Sequence, residues 1–194
     1  NDRTQILKFN SMIRNENERM NKYVERILLQ AKLDRREVHL KKVPVNLNVL
    51  VDEAVEHFRL QVEEKGGVIR AELDPEGYVI SADEVHMLNV VCNLIDNAIK
   101  YSHDSLNIYI YTKQEGNRFI IGVRDTGIGI PKEAQDKVFK RFYRVPSGNV
   151  HNVKGFGLGL SYAKSIVELH GGEIQLTSKK NKGTQVEIIF KMES

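Results

Sequence analysis

Apolar positions in the first 34 residues recur at intervals of three, four or seven, and no glycine or proline interrupts them. The stripe consists of Ile6, Phe9, Ile13, Met20, Val24, Ile27 and Ala31. This spacing predicts one long helix whose narrow apolar face suits a coiled-coil or bundle partner. The alternative is a helix packed on its own domain, but a lone helix with so thin a stripe is only marginally stable.

The next segment changes character twice. Residues 35–43 are charged and precede Pro44, so they predict a linker between residues 1–34 and a domain over residues 44–194. Asn46 predicts the cap of a helix that runs to about Lys65 and stops at a glycine pair. Two short runs, VIRAEL and YVISA, are strand candidates.

The second half of the chain alternates between helical and strand patterns. A helical pattern extends from about Asp83 to Tyr101, and LNIYIYTKQEGNRFIIGVRDTG alternates around a Glu-Gly-Asn turn that predicts a hairpin. A basic stretch over residues 131–154 predicts a short helix and loops. GLGLSYAKSIVELHGG predicts a helix, and EIQLTSKKNKGTQVEIIF predicts a final hairpin. We expect an α+β fold, a two-layer sandwich in which helices cover one face of a mixed sheet.

Composition narrows the function classes. The 29 basic and 26 acidic residues among 194 leave a net charge of +3, and no block of one sign suggests nucleic-acid binding. The single cysteine, Cys92, excludes a disulfide framework and indicates a reducing compartment. Its apolar neighbours predict a buried thiol. No apolar run is long enough to span a bilayer, and no signal-peptide pattern occurs.

Amide side chains form a row on the third predicted helix. Asn89, Asn93, Asn97 and Tyr101 are spaced four apart, so they lie along one side of a helix. A polar rim facing water explains Asn89. For Asn93 and Asn97 together we favour a binding site, because amide oxygens are hard ligands suited to Mg²⁺. Lys100, one turn further, is placed to meet a phosphate.

An aspartate and two glycines follow the next predicted strand, in VRDTGIGI. Strand alternation places Asp125 on the same face as Phe119, Ile121 and Val123. An ionised carboxylate accepts hydrogen bonds and donates none, so it would favour adenine, whose exocyclic amine donates, over guanine. Gly127 and Gly129 permit close approach to the backbone. An ordinary turn is the alternative interpretation.

Two further segments could bind anions. The glycines of GFGLGL, residues 155–160, immediately precede a helix, where free backbone N–H groups can hold an anion. The preceding segment carries Phe139, Phe142 and Tyr143, which we expect to form a small hydrophobic anchor. Basic residues among them and the flanking glycines predict a mobile lid over phosphates. An exposed basic loop is the alternative.

The order of these motifs resembles one family. Asn-x-x-x-Asn, Asp-x-Gly-x-Gly, Phe-x-x-Phe, Gly-x-Gly-x-Gly and Gly183-Thr184 occur in the sequence of the ATP-binding domain of bacterial two-component sensor histidine kinases. The resemblance covers about Pro44 to Lys191, and the motifs are similar to the N, G1, F and G2 boxes of the GHKL (Bergerat-type) fold. Residues 1–34 resemble the second helix of the family's dimerisation and phosphotransfer domain.

The resemblance implies roles for individual residues. Mg²⁺ would be held by Asn97 with support from Asn93. Phosphates would contact Lys100 and Arg144, with Arg141 a weaker candidate, and the catalytic positions would be Asn97, Lys100 and Arg144. Asp125 would bind the adenine amine. The remaining ATP-binding positions would be Tyr101, Gly127, Gly129, Ile130, Phe142, Gly155, Gly157, Leu158, Gly159, Leu160 and Thr184.

The resemblance also implies a setting. The function would be transfer of the ATP γ-phosphoryl to a histidine, followed by signalling to a response regulator. The protein would be a homodimer through its dimerisation helices and the cytoplasmic domain of a bacterial inner-membrane receptor. None of the six histidines has the sequence context of the family's phosphoacceptor, so we expect the acceptor helix to lie upstream and this chain to be inactive in autophosphorylation.

Two other functions remain open. The resemblance extends to ATP hydrolases such as type II topoisomerases, which place a water-activating glutamate four residues before the magnesium-binding asparagine. The corresponding residue here is Asn93, and a neutral amide cannot act as a general base. A histidine kinase is therefore favoured over a hydrolase. The other alternative is a non-catalytic dimer module with a degenerate pocket.

Overall fold

A single long helix, α1, spans Asp2–Asp34 in the computed structural model and forms the body of the first of two compact units, which divide after His39. The structure describes residues 2–34, 37–102, 106–145 and 156–192. The large apolar side chains described on α1 are 45% to 63% exposed. The predicted helix is confirmed. No helix in the described ranges is long and apolar enough to cross a bilayer.

The second unit combines strands with short and long helices. Its elements are β1 (Val43–Asn46), α2 (Leu47–Glu64), β2 (Val68–Glu72), β3 (Val79–Ala82), α3 (Glu84–Lys100), β4 (Asn107–Glu115), β5 (Arg118–Asp125), α4 (Lys132–Gln135), α5 (Gly159–Leu169), β6 (Glu173–Lys179) and β7 (Gly183–Lys191). Five strands form one sheet in the order β2-β4-β5-β7-β6. Only β2 and β4 pair in parallel, and the other pairs are antiparallel.

The core lies between one face of this sheet and the long helices of the unit. Alternate residues of β5, Phe119, Ile121 and Val123, are at most 3% exposed, as are Ile95 on α3 and Ile166 on α5. The opposite sheet face carries polar side chains and the tyrosines of β4 around a small buried pair, Ile120 and Ile189. The expected two-layer α+β sandwich with a mixed sheet is confirmed.

Side chains cap the beginnings of α2 and α3. The Asn46 Oδ1 accepts from the Asn48 backbone N–H at 2.9 Å, so α2 begins where the sequence predicts. The Asp83 carboxylate caps α3 through the His86 N–H at 3.1 Å. The Asp83 N–H in turn donates to Nε2 of His170 at 2.9 Å, which ties the start of α3 to the end of α5.

Two predictions about the fold are wrong. Val43, expected to be the last residue of the linker, belongs to β1, which pairs antiparallel with β3 in a separate sheet of two strands. Local sequence could not show this, because the partner strand lies more than 30 residues away. Cys92 is half-buried rather than buried, because it lies at the edge of the apolar face of α3.

Candidate functional site

The amide row of α3 lies against the beginning of α5. Asn93 and Asn97 are half-buried. A Cβ built on Gly159, the first residue of α5, would stand 3.7 Å from Asn93 Oδ1 and 3.8 Å from Asn97 Nδ2. The cap residue of α5, Leu158, supplies no side-chain hydrogen bond to the first turn. The amides and the N-terminal end of a helix therefore line one place, and both suit an anionic ligand with a cation.

Lys100 ends α3 one turn after Asn97. Its ammonium group donates to the Asp96 carboxylate, and both side chains are about a third exposed or less. The sequence signal for this ion pair is an aspartate four residues before a lysine, which the prediction of a phosphate contact left out. The predicted phosphate contact of Lys100 remains a prediction. In this structure the Lys100 ammonium is paired with the Asp96 carboxylate.

Asp125 ends β5 on the helix-covered face of the sheet, as strand alternation predicts. Its Oδ1 accepts from the backbone N–H of Gly127 at 2.8 Å and of Thr184 at 3.2 Å. Burial raises the pKa of the Asp125 carboxyl, and these two hydrogen bonds oppose the shift without cancelling it. A partly desolvated carboxylate at this position is a strong hydrogen-bond acceptor for a ligand.

The glycine turn after Asp125 is packed between two backbones. A Cβ on Gly127 would stand 2.2 Å from the Tyr101 carbonyl oxygen, which also accepts from the Ile128 N–H at 2.9 Å. Gly129 has a φ of +63°, and a Cβ there would stand 2.1 Å from the Lys179 carbonyl oxygen. Only glycine fits either position. The turn thus joins the end of α3 to the β6–β7 turn.

Residues at the β6–β7 turn complete this end of the sheet. Ser178 Oγ contacts the Ile130 N–H at 2.8 Å and Thr184 Oγ1 at 3.0 Å. Gln135 Nε2 donates to the carbonyl oxygens of Ile130 at 2.9 Å and Ser178 at 2.7 Å. Sequence reasoning singled out Ile130 and Thr184 but missed Ser178 and Gln135. Ser178 continues the inward alternation of Ile174 and Leu176, which is the signal that could have found it.

The segment after α4 differs from the expected hydrophobic anchor. Phe142 is 62% exposed and has a φ of +59°, whereas Ala134 and Val138 are the buried residues there. The Phe142 N–H donates to the Gly157 carbonyl oxygen at 3.0 Å, so the two chain ends that flank residues 143–156 meet. Part of the anchor prediction is therefore wrong, because the backbone at Phe142 turns its ring outward.

The other predicted site residues are placed at this edge of the unit. Leu158 is 7% exposed and supports the start of α5, and Leu160 is half-buried. Arg141 and Arg144 are exposed. Gly155 lies outside the described residues. Four segments thus meet around one end of α3: its amide row, the glycine turn after β5, the β6–β7 turn and the beginning of α5.

Comparison with known proteins identifies the family. The model for the histidine kinase-, DNA gyrase B- and HSP90-like ATPases matches residues 82–194. This chain belongs to that ATPase family. The matched range contains the amide row, the glycine turn, the start of α5 and the β6–β7 turn.

Relatives within the ATPase family are sensor kinases. The chain is 42% identical over 176 residues to the sensor protein RprX of Bacteroides fragilis. The matched segment covers 90% of this chain and 34% of RprX. It is 35% identical over 187 residues to the sensor protein kinase WalK of Staphylococcus saprophyticus, with coverage of 95% and 30%. The chain therefore spans about a third of the length of these relatives.

A solved structure gives the same result for the second unit. The catalytic domain of histidine kinase ThkA superimposes with a TM-score of 0.68 at 27% identity, covering 78% of this chain and 98% of that one. These findings confirm the predicted ATP-binding catalytic domain of a sensor histidine kinase.

The donor atoms available for a metal in this ATPase domain are amides. Among the described residues, no group of three or more histidine, cysteine, aspartate or glutamate side chains could hold a metal ion. The half-buried amides of Asn93 and Asn97 are hard oxygen donors without charge. Such a sparse set suits Mg²⁺, which keeps several waters and binds largely through substrate phosphates.

Proposed function

We propose that this chain is the catalytic part of a protein kinase that transfers the γ-phosphoryl group of Mg·ATP to a histidine. The family and its sensor-kinase members support the reaction class. The chain covers about a third of the length of those relatives, and we assign the acceptor histidine to a helix upstream of α1 in the whole protein.

Base recognition is assigned to Asp125. Its carboxylate accepts from two backbone N–H groups through Oδ1, an arrangement that fixes the plane of the group. Oδ2 is then the oxygen that accepts from the exocyclic amine of adenine. Gly127, Gly129 and Ile130 form the turn along the base, and Tyr101 closes its side where the turn meets α3.

Phosphate binding is assigned to the opposite side of the pocket. Asn97, with Asn93 beside it, would hold Mg²⁺, which when bound offsets the charge that develops on the transferring phosphoryl group. The first turn of α5 begins beside the same amides, because a Cβ on Gly159 would lie within 4 Å of both, and its free N–H groups would add to the anion site. Lys100 and Arg144 would contact phosphate oxygens, and the Lys100 ammonium, with three N–H donors, would do so while still paired with Asp96.

One observation carries the choice of phosphotransfer over hydrolysis: Asn93, one turn before Asn97, faces the beginning of α5 with an amide rather than a carboxylate. A neutral amide cannot take a proton from water near neutral pH. The carboxylate nearest along the helix, Asp96, is engaged by the Lys100 ammonium. A neutral imidazole nitrogen needs no strong base, so positioning and charge stabilisation suffice for its phosphorylation.

The partners follow from the first unit and the relatives. Large apolar side chains along α1 are about half exposed in the single chain, and burial of these side chains against a second copy would stabilise a homodimer. Sensor kinases act through a response regulator, and we propose the same partner for the phosphohistidine. The whole protein would then be a membrane receptor whose cytoplasmic part includes this chain.

The direct test uses the natural protein extended upstream through the next helix. Incubation with γ-labelled ATP and Mg²⁺ should give an acid-labile, base-stable label, and Asn97→Ala should abolish it. Asn89→Ala is the matched control, because Asn89 lies two turns earlier on the same helix and is exposed. Normal nucleotide binding without any label would favour a degenerate module instead, and continuous phosphate release would favour a hydrolase.

The amide at position 93, which favours phosphotransfer over hydrolysis, can be tested separately. Asn93→Glu places a carboxylate where a water-activating base would stand, so multiple-turnover phosphate release should rise by a factor of about 100, the lower end of general-base effects. Asn89→Glu adds the same charge one turn earlier, at an exposed position, and should not raise phosphate release. Equal release from wild type and Asn93→Glu would contradict the assigned position of residue 93.

A further inference from the structure

Ser178, at the end of β6, contacts three groups through one hydroxyl. Its Oγ accepts from the Ile130 N–H at 2.8 Å, donates to the Gly183 carbonyl oxygen at 2.8 Å and lies 3.0 Å from Thr184 Oγ1. Ser178 and Thr184 are register partners across β6 and β7 and are both half-buried. Strand alternation puts both on the helix-covered face that also carries Asp125.

The hydrogen-bond pattern fixes where the protons are. A hydroxyl has one proton to donate, and a carbonyl oxygen can only accept. Ser178 therefore gives its proton to Gly183, and its contact with Thr184 can form only if Thr184 donates. The Thr184 hydroxyl proton is thus turned toward Ser178, and only lone pairs of Thr184 Oγ1 remain for a ligand.

Thr184 is also bound to the base-recognising carboxylate. Its backbone N–H donates to Asp125 Oδ1 at 3.2 Å, so the Thr184 hydroxyl belongs to one of the two residues that hold the Asp125 carboxylate. The side chains of Asp125 and Thr184 then offer a ligand only hydrogen-bond acceptors. At position 6 of a purine, the exocyclic amine of adenine can donate to these acceptors. The carbonyl oxygen of a 6-oxopurine would leave two acceptors facing each other.

We propose that Ser178 is a positioning residue for base selectivity: by accepting the Thr184 hydroxyl proton it keeps Thr184 from donating to a 6-oxopurine. The proposal rests on the proposed function, in which adenine lies at Asp125. Loss of the Ser178 hydroxyl would let the Thr184 hydroxyl rotate and donate into the pocket. Hypoxanthine would then gain a hydrogen bond that wild type denies it.

The surrounding contacts separate this role from a general structural one. Gln135 Nε2 holds the carbonyl oxygens of Ile130 and Ser178, and the Asn181 N–H donates to the Ile128 carbonyl oxygen at 2.7 Å. None of those bonds uses the Ser178 hydroxyl, so they survive a change of that side chain. Ser178→Ala therefore keeps these three bonds of the glycine turn, loses the bonds of Ser178 Oγ to Ile130 and Gly183, and releases the Thr184 hydroxyl.

The test compares two nucleotides whose bases differ in the group at position 6 and in the N1 proton that hypoxanthine carries and adenine lacks, so only the change in preference between variants is assigned to Ser178. Dissociation constants for Mg·ATP and Mg·ITP are measured by calorimetry for wild type, Ser178→Ala, Ser178→Thr and Gln135→Ala. The preference for ATP should fall by about 3- to 10-fold in Ser178→Ala, the effect of one neutral hydrogen bond. Ser178→Thr keeps the hydroxyl and should restore the preference. Gln135→Ala loosens the turn and should weaken both nucleotides equally.

A double-mutant comparison identifies the route of the effect. In a Thr184→Val background, Ser178→Ala should leave the ATP preference unchanged, because the hydroxyl it releases is gone. If Ser178→Ala does not fold, Ser178→Cys, which keeps the size and accepts weakly, replaces it.

The outcomes are distinct for the inference and for the proposed function. An unchanged ATP-to-ITP ratio in Ser178→Ala, or a changed ratio that persists without the Thr184 hydroxyl, would overturn the role of Ser178. Wild type that binds neither nucleotide would instead overturn the assignment of adenine to Asp125, and with it the premise of the proposal.

Discussion

Asp125 carries a charge in a place where burial disfavours charge. Its pKa is raised, so ionisation of the carboxyl opposes folding of the empty domain. An asparagine at this position can still accept from the N–H groups of Gly127 and Thr184, but its amide N–H₂ would face the adenine amine, donor against donor. Folding and base recognition therefore make different demands on this residue.

The substitution Asp125→Asn should separate these two demands. We expect ATP affinity to fall by about 10- to 100-fold, since a hydrogen bond to a charged group is lost. The thermal unfolding temperature of the nucleotide-free domain should stay equal or rise. Calorimetric titration and a thermal melt measure the two quantities. A lower unfolding temperature with unchanged affinity would contradict the assigned role.

The raised pKa of Asp125 also predicts how binding depends on pH. The protonated carboxyl is favoured as pH falls through the raised value, and it loses its acceptor character toward the adenine amine. The stability of the empty domain changes in the opposite sense, because a raised pKa contributes stability at low pH that is lost as pH rises through it. ATP affinity should therefore decrease as pH falls through the raised pKa of Asp125, at a higher pH than an ordinary aspartate would require.

The control for this pH profile is Asp125→Asn. The phosphates of ATP also take up protons on acidification. Their effect on affinity is the same for wild type and for Asp125→Asn. The ratio of wild-type to variant affinity should therefore fall on acidification. A ratio that does not change with pH would show that the carboxylate of Asp125 does not contact the base.

Among the elements, the glycine turn between β5 and α4 determines whether the site assembles. Gly129 combines a φ of +63° with a carbonyl oxygen 2.1 Å from the place of a Cβ. Gly116, in the β4–β5 turn, has a φ of +61° and no heavy atom within 4 Å of that place. The two glycines have nearly the same φ. A side chain at Gly116 would therefore meet only backbone strain, whereas one at Gly129 would also meet a steric clash.

Alanine at these two glycines should have unequal effects. Gly116→Ala should lower the free energy of unfolding by about 1 to 2 kcal/mol, the cost of a left-handed non-glycine residue. Gly129→Ala should lower it by about 3 kcal/mol or more and reduce ATP affinity, because the β6–β7 turn must move away. Denaturant unfolding and calorimetry measure both, and equal losses would show that the packing at Gly129 is slack.

The elements also show what a sequence can predict. Asn46 and Asp83 mark the starts of α2 and α3 because capping is local, and Asp125 lies where strand alternation puts it. By contrast, the pairing of β1 with β3 and the contact of Ser178 with the glycine turn join distant segments. Their patterns are short or polar, so only the folded chain reveals them. The exposed ring of Phe142 was missed because a positive φ at a phenylalanine is rare.

At the scale of the whole molecule, the chain divides into two compact units after His39. The motif order predicted a nucleotide-binding unit and a helix for association, and the division after His39 gives each its own set of contacts. The nucleotide-binding segments all lie in the second unit. The partner of α1 cannot be derived from one chain, because a helix with a narrow apolar face is stabilised only by what it packs against.

A proline in α1 should therefore affect association without affecting the nucleotide. Ile27→Pro removes a helical hydrogen bond and costs about 3 kcal/mol in the helix interior. We expect the dimer fraction in sedimentation to decrease, while ATP affinity stays within about twofold of wild type, since effects at distant sites are independent. Ile27→Ala is the control that shortens the side chain without breaking the helix. Joint loss of both properties would contradict independent units.

Hydrogen exchange with and without Mg·AMPPNP tests most directly that four segments form one nucleotide site. The account predicts binding-dependent protection concentrated in residues 93–101, 125–130, 157–160 and 178–184, with none in α1. Protection confined to other parts of the second unit, or no protection at saturating nucleotide, would contradict it.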